Sequence, residues 1–226
     1  MPELITALDH PDAPTAVACL DLLPDGAAVK VGSVLMTAAG PGFVRGLVGA
    51  GHPVFLDLKW HDIPNTVAGA IRSARALGVD MVTVHALGGR EMLEAAVAAA
   101  DGALRVIAVT VLTSHDLASF QAVLGQPVAD LRLEVSRLAG MAIGAGVDGV
   151  VCSPKELAVV APMARGRRIV VPGIRRADDA PGDQARVATP EAAVAAGATH
   201  LVVGRPITAA ADPALAWQAF RRSLGG

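Results

Sequence analysis

The sequence predicts an α/β fold, a single-domain (β/α)8 TIM barrel over residues 1–226. Three observations predict it. Short β-branched runs alternate with alanine-rich stretches of helical periodicity. Eight such pairs fit the chain at roughly 28 residues each, slightly short for this architecture, so the loops must be lean. Glycines at positions 51, 78, 146 and 197 stand just before four of the runs, where a left-handed residue ends one helix and admits the next strand. A doubly wound open sheet is the competing architecture.

Taken in order, the strand candidates are LITAL (4–8), AVKV (28–31), PVFLDL (53–58) and MVTVH (81–85). They continue with RVIAVTV (105–111), GVVCS (149–153), RIVVP (168–172) and HLVVG (200–204). Between them, NTVAGAIRSARAL and GREMLEAAVAAA carry apolar residues at helical spacing. No break in composition marks a second domain.

Composition excludes several classes. Hydrophobic residues make up 53% and charged residues 18%, which argues against disorder. A net charge of −2 gives no surface for nucleic acid or for an anionic membrane. No run reaches the ~18 apolar residues of a membrane span. The opening MPELITALDH has neither a basic nor a long apolar region, so no signal peptide is expected there. Cys19 and Cys152 stand far apart and read as small buried residues of a reduced, cytoplasmic protein.

Of the 19 basic residues only Lys30, Lys59 and Lys155 are lysines. The chain makes its ordinary positive surface with arginine. A lysine therefore suggests a task that needs a compact charge able to give up its proton.

Most strand candidates end in polar or special residues: Asp9, Lys30, Asp57 with Lys59, and His85. The later ones end in Thr110 with Thr113, Ser153, Pro172 with Gly173, and Gly204 with Arg205. In a barrel all these ends meet at one mouth, where barrel enzymes do their chemistry. Each residue also has a bland reading. Asp9 could start a turn, His85 could be a core histidine, Ser153 could cap a helix, and Arg205 could be a surface arginine.

FLDLKWHDIPNTV (55–67) concentrates the charge. Asp57 and Lys59, two apart, share one face of a strand. Lys30 ends the preceding strand, and Asp62 can reach back from the loop. The alternative is an ion pair with Asp62 capping a helix near Pro64. A metal site of Asp57, His61 and Asp62 is opposed by two nearby ammonium groups. A buried charge cluster is costly without compensation, which favours a Lys–Asp–Lys–Asp chain that holds an ammonium against a developing negative charge.

DLKWHDIPNT resembles the signature of the bacterial-type orotidine 5′-monophosphate decarboxylase family. ALD (7–9), KVG (30–32), VHALGG (84–89), VTVLTS (109–114) and DGVVCS (148–153) fall in the family's order. PGIR (172–175), GDQ (182–184) and VGRPIT (203–208) complete the set. Leu87 and Trp60 stand where that family more often has Ser and Phe. Sugar-phosphate lyases of related barrels share D-x-K-x-x-D but place a carboxylate, for a metal, where this chain has Lys30. A metal-dependent lyase and a non-catalytic phosphate-ligand barrel remain the alternative functions.

The resemblance implies cofactor-free conversion of orotidine 5′-monophosphate to UMP in pyrimidine synthesis, with no metal. It makes Lys59 the charge stabiliser and proton donor, with Asp57, Lys30 and Asp62 completing the catalytic set. It assigns the ribose to Asp9 and Lys30, and the pyrimidine edge to Thr113. Pro172, Gly204 and Arg205 join the binding set, with Arg205 on the phosphate. Arg175 and Gln184, on a polar loop that closes as a lid, grip phosphate and base. It further implies a homodimer in which Asp62 and Thr66 enter the neighbouring subunit's site.

Overall fold

The computed structural model describes residues 1–176 and 187–225. All eight expected strands form. They are β1 (Glu3–Ala7), β2 (Val29–Gly32), β3 (Val54–Trp60), β4 (Met81–His85), β5 (Arg105–Val109), β6 (Gly149–Val151), β7 (Arg168–Val171) and β8 (His200–Val203). Each pairs in parallel with the next, and β8 returns to β1 through Glu3↔His200 to Thr6↔Val203, so the sheet closes into a barrel. An open doubly wound sheet is thereby excluded.

The helices are α1 (Ala13–Leu20), α2 (Ser33–Gly49), α3 (Pro64–Leu77), α4 (Gly89–Ala100) and α5 (Leu117–Leu124). They continue as α6 (Leu131–Gly144), α7 (Leu157–Val160), α8 (Pro190–Ala195), α9 (Arg205–Thr208) and α10 (Pro213–Arg222). None among the described residues is long and apolar enough to cross a membrane. The four glycines expected to end helices lie in the left-handed region, with φ of 88°, 81°, 93° and 104° at Gly51, Gly78, Gly146 and Gly197. There a side chain would strain the backbone. Helix α2 breaks at Gly40 (φ 73°), just before Pro41, which cannot donate to the preceding turn.

Two apolar layers follow from strand alternation. Ile5, Phe55, Met81, Ile107, Val170 and Val202 fill the barrel interior. Leu4, Leu56, Val82, Val106, Ile169 and Leu201, one residue out of phase, pack outward beneath the helices. The step of two that puts Phe55 and Met81 inside puts Asp57 and Thr83 on the same inner side, one level nearer the mouth. The interior thus changes from apolar to charged within a single strand repeat.

Candidate active site

Four charged groups from three consecutive strand ends form one chain of contacts. Lys30 Nζ donates to Asp9 Oδ1 at 2.9 Å and lies 3.7 Å from Asp57 Oδ2. Lys59 Nζ donates to the same Asp57 Oδ2 at 2.8 Å. The side chains of Lys30 and Asp57 are only 11% and 12% exposed, whereas that of Lys59 is 40% exposed and opens onto the cavity. Burial pushes the Asp57 carboxyl up. The charges of Lys30 and Lys59, with hydrogen bonds from Lys59 and Thr83, more than reverse this and hold it below the usual carboxylate range. Two ammonium groups and two carboxylates balance, which is what makes their burial tolerable.

The local backbone explains how such short elements carry this cluster. Leu58 and Trp60 pack against the outer core, so Asp57 and Lys59 share the inner side, as alternation requires. The ladder from β3 to β4 is nevertheless irregular. Leu56 pairs with Val82 and Trp60 with Val84, so Asp57, Leu58 and Lys59 together oppose Thr83 alone. Lys59 adopts φ 50°, a left-handed conformation unusual for a non-glycine residue. Gly32 has its own reason: a Cβ there would lie 3.1 Å from Lys30 Nζ and 3.2 Å from Asp9 Oδ1, crowding the pair.

Above this cluster lies a cavity of about 420 Å³. Its floor is apolar, from Ala7, Phe55, Val109, Val151, Val170 and Val202. Its polar lining includes Asp9, Lys30, Asp57 and Lys59, together with Thr113, Pro172, Gly173, Arg175, Gly204 and Arg205. Arg205 opens α9, where Gly204 O accepts from Ile207 N (2.8 Å) and Thr208 N (3.0 Å). Arg175 N donates to Ala188 O at 3.0 Å, and Ile174 bridges Ala188, tying the residues just after β7 to those just before α8. The Arg175 Nε is buried without a hydrogen-bond partner among the described residues. The cavity therefore combines an apolar floor, a charge-balanced ammonium site and two guanidinium groups. Those dimensions and charges suit a flat polar ring joined to an anionic tail.

A family model for the orotidine 5'-phosphate decarboxylase / HUMPS family matches residues 2–220. The chain belongs to that family. The orotidine 5'-phosphate decarboxylase of Halorhodospira halophila (strain DSM 244 / SL1) is 56% identical over 230 residues, covering 99% of this chain and 96% of that protein. The enzyme of the same name from Alkalilimnicola ehrlichii (strain ATCC BAA-1101 / DSM 17681 / MLHE-1) is 54% identical, covering 98% and 95%. The crystal structure of orotidine 5'-phosphate decarboxylase from Lactobacillus acidophilus superposes with a TM-score of 0.90 at 34% identity, covering both chains completely.

Within this orotidine 5'-phosphate decarboxylase family fold, the expected site residues divide. Asp9, Lys30, Asp57, Lys59, Thr113, Pro172, Arg175, Gly204 and Arg205 all line the one cavity. Asp62 and Thr66 do not. Both are exposed, and Asp62 Oδ1 accepts from the Ile63 amide at 2.7 Å instead of reaching back to a lysine. Nor does Asp62 cap α3, whose N-cap is Ile63 with no side-chain bond. Gln184 lies outside the described residues.

Three polar strand ends serve the scaffold. Thr110 Oγ1 donates to Val151 O at 2.9 Å, while Ser153 and Glu156 form a reciprocal cap on the turn Pro154–Glu156. His85 is buried, its Nδ1 accepting from Leu87 N at 3.2 Å and its ring stacked 5.6 Å from that of His61. Burial, with the nearby charges of His61, Lys59 and His115, lowers its pKa to about 4. Asp57, His61 and Asp62 do not converge, and among the described residues no three metal-ligating side chains gather.

Sequence reasoning missed Thr83. It is fully buried, its Oγ1 donating to Asp57 Oδ1 at 2.9 Å and accepting from Lys59 N at 2.8 Å. The signal was present: a polar residue at an inward position of MVTVH, in step with Met81. Its partners, however, lie on another strand.

Proposed function

We propose that this chain decarboxylates orotidine 5'-phosphate to UMP, a step of pyrimidine biosynthesis, and that Lys59 carries the chemistry. The observation that carries this reading is the Lys59 ammonium, 2.8 Å from the buried Asp57 carboxylate and open to the cavity. In the reaction the bond from the pyrimidine ring carbon to the carboxylate breaks and CO2 leaves. The electron pair stays on the ring carbon, which has no conjugated sink for it. A fixed ammonium is the kind of group that stabilises such a carbanion, and its proton can then complete UMP. Solvent reprotonates Lys59, so one proton is consumed in each turnover.

Asp57 sits beside the carboxylate that departs and orients both lysines. Lys30, anchored on Asp9, balances the carboxylates and meets the ribose, whose hydroxyl donates to Asp9. Thr113 bonds the pyrimidine edge, and Pro172 packs beside it. Gly204 and Arg205 take the phosphate end, and Arg175 and Gln184 grip phosphate and base. Binding energy from that remote anion is then available to strain and position the reacting ring.

No metal or cofactor is required in this scheme. The Lys30 ammonium stands between Asp9 and Asp57, the two carboxylates that would otherwise have to share a dication. That arrangement speaks against a metal-dependent sugar-phosphate lyase. The exposed Lys59 ammonium, needless for simple retention of a phosphate, speaks against a non-catalytic barrel. Asp62 and Thr66 are exposed and lie outside their own chain's cavity, which supports a two-fold dimer in which they enter the neighbouring site. Cys19 and Cys152, both free and buried, fit a reducing cytoplasm.

The test is to incubate the protein with orotidine 5'-phosphate and EDTA while following the pyrimidine absorbance. Conversion to UMP at an undiminished rate is expected. Activity abolished by chelation and restored by Mg²⁺ would overturn the metal-free scheme.

A further inference from the structure

Thr83 hydrogen-bonds both Asp57 and the backbone of Lys59, yet it does not line the cavity. A hydroxyl has one proton and two lone pairs. Here the proton goes to Asp57 Oδ1 at 2.9 Å, and a lone pair receives the Lys59 N–H at 2.8 Å. Both partners need it. The terminal torsion of a carboxylate is broad, so a buried Asp57 held only through Oδ2 could rotate away from the ammonium groups. The backbone at Lys59 is left-handed, and its N–H lies in the irregular stretch where three residues of β3 oppose one of β4. An amide buried there without an acceptor would be costly. Thr83 is β-branched and fully buried, so its own rotamer is restricted.

We propose that Thr83 is a positioning residue for decarboxylation: its hydroxyl locks the Asp57 carboxylate and the Lys59 backbone into one rigid unit, which sets where the Lys59 ammonium stands. The proposal rests on the function argued above. It adds a residue that never meets the nucleotide, so its loss acts on turnover and leaves nucleotide binding largely intact. Thr110 provides the contrast. It is an equally buried threonine of the neighbouring strand end, but it donates only to a backbone carbonyl, Val151 O.

The test compares Thr83→Val, Thr83→Ser and Thr110→Val. In Thr83→Val, kcat is expected to fall about 10- to 100-fold, the size of a lost hydrogen bond to an ionised group. The Kd for UMP should stay within about three-fold. Thr83→Ser keeps the hydroxyl and should recover most of kcat. Thr110→Val should lose stability without a comparable fall in kcat. A second readout needs no turnover. The chain has only three lysines, Lys30, Lys59 and Lys155, so lysine-selective ¹³C labelling gives three ε-carbon signals, assignable with Lys59→Arg and Lys155→Arg. Thr83→Val should move the Lys59 signal and leave that of Lys155 in place. Should Thr83→Val not fold, Thr83→Cys, of similar volume but with a weak S–H donor, is read in the same way. A kcat within three-fold of wild type, a serine variant as impaired as valine, or an unmoved Lys59 signal would each overturn the proposal. If the wild-type protein does not decarboxylate orotidine 5'-phosphate, the functional reading fails, while the Lys59 signal still decides whether Thr83 sets the ammonium.

Discussion

Lys59 Nζ and Lys30 Nζ approach the same oxygen, Asp57 Oδ2, at 2.8 Å and 3.7 Å. Two like charges held this close are stable only because Asp57 lies between them and Asp9 backs Lys30. Both line the cavity, and the Lys59 ammonium is the more exposed of the two. The arrangement keeps a cation fixed in place before any substrate arrives, so little reorganisation is left for the reaction itself.

Lys59→Ala removes that cation. Turnover of orotidine 5'-phosphate is expected to fall by several orders of magnitude, roughly 10³-fold or more. Binding of UMP, carried by the remaining lining residues, should largely survive. Rapid-mixing kinetics and calorimetric titration check the two separately. A variant with near-normal turnover would remove Lys59 from its assigned role.

Arg205→Ala is expected to weaken UMP binding far more than uridine binding, since only the nucleotide carries phosphate. A charge-assisted contact of this kind is worth about 1.5–3 kcal/mol, or roughly 10- to 100-fold in Kd. Equal losses for both ligands would mean that Arg205 merely supports the start of α9.

His85 predicts a pH dependence of stability. Its folded pKa of about 4 lies below the unfolded value of about 6.5. The folded state therefore binds fewer protons across that interval. The contribution of His85 is full above about pH 6.5 and is lost as pH falls toward 4. After allowance for solvent screening this amounts to about 1–2 kcal/mol. His85→Asn keeps an acceptor for Leu87 N but does not titrate. Denaturant unfolding of both proteins from pH 7 to 4.5 should show the wild type losing about that much relative to the variant. Parallel pH profiles would contradict the assignment.

Asp62 tests the shared site. Lys59→Ala and Asp62→Ala chains, each nearly inactive alone, are co-expressed in equal amounts. If sites are shared across a two-fold axis, each mixed dimer has one intact site and one with both lesions. About a quarter of all sites are then whole under random pairing. Confirmed mixed dimers without recovered activity would refute sharing and return Asp62 to a purely local role on the Ile63 amide.

Much of the fold was legible because its signals are local. The runs around Val82 and Ile169 are β-branched, NTVAGAIRSARAL repeats at helical spacing, and Gly78 stops its helix in the left-handed region. Strand ends were less sharp. RVIAVTV was read to residue 111, but β5 stops at Val109, where Thr110 turns its hydroxyl onto Val151 O. Of the site, the charged residues stood out because a lysine is rare in this chain and because DLKWHDIPNT sits at a strand end. Ser153 was read as open to a helix-capping role, which the structure bears out, but the part that Thr83 plays was not legible. Thr83 lies within a strand, and only the register with β3 brings its hydroxyl to Asp57.

By itself the sequence determined the (β/α)8 architecture, the order of the polar strand ends and the charge content of the mouth. Periodicity, turn chemistry and residue type act over a few positions and can be read from them. Only the tertiary structure decided that Thr83 joins Asp57 to Lys59, that three residues of β3 oppose one of β4, and that Asp62 stays outside its own cavity. Those relations depend on the register between strands some 26 residues apart. Barrel closure sets that register through the summed packing of every strand and helix, and no short stretch of the chain encodes it.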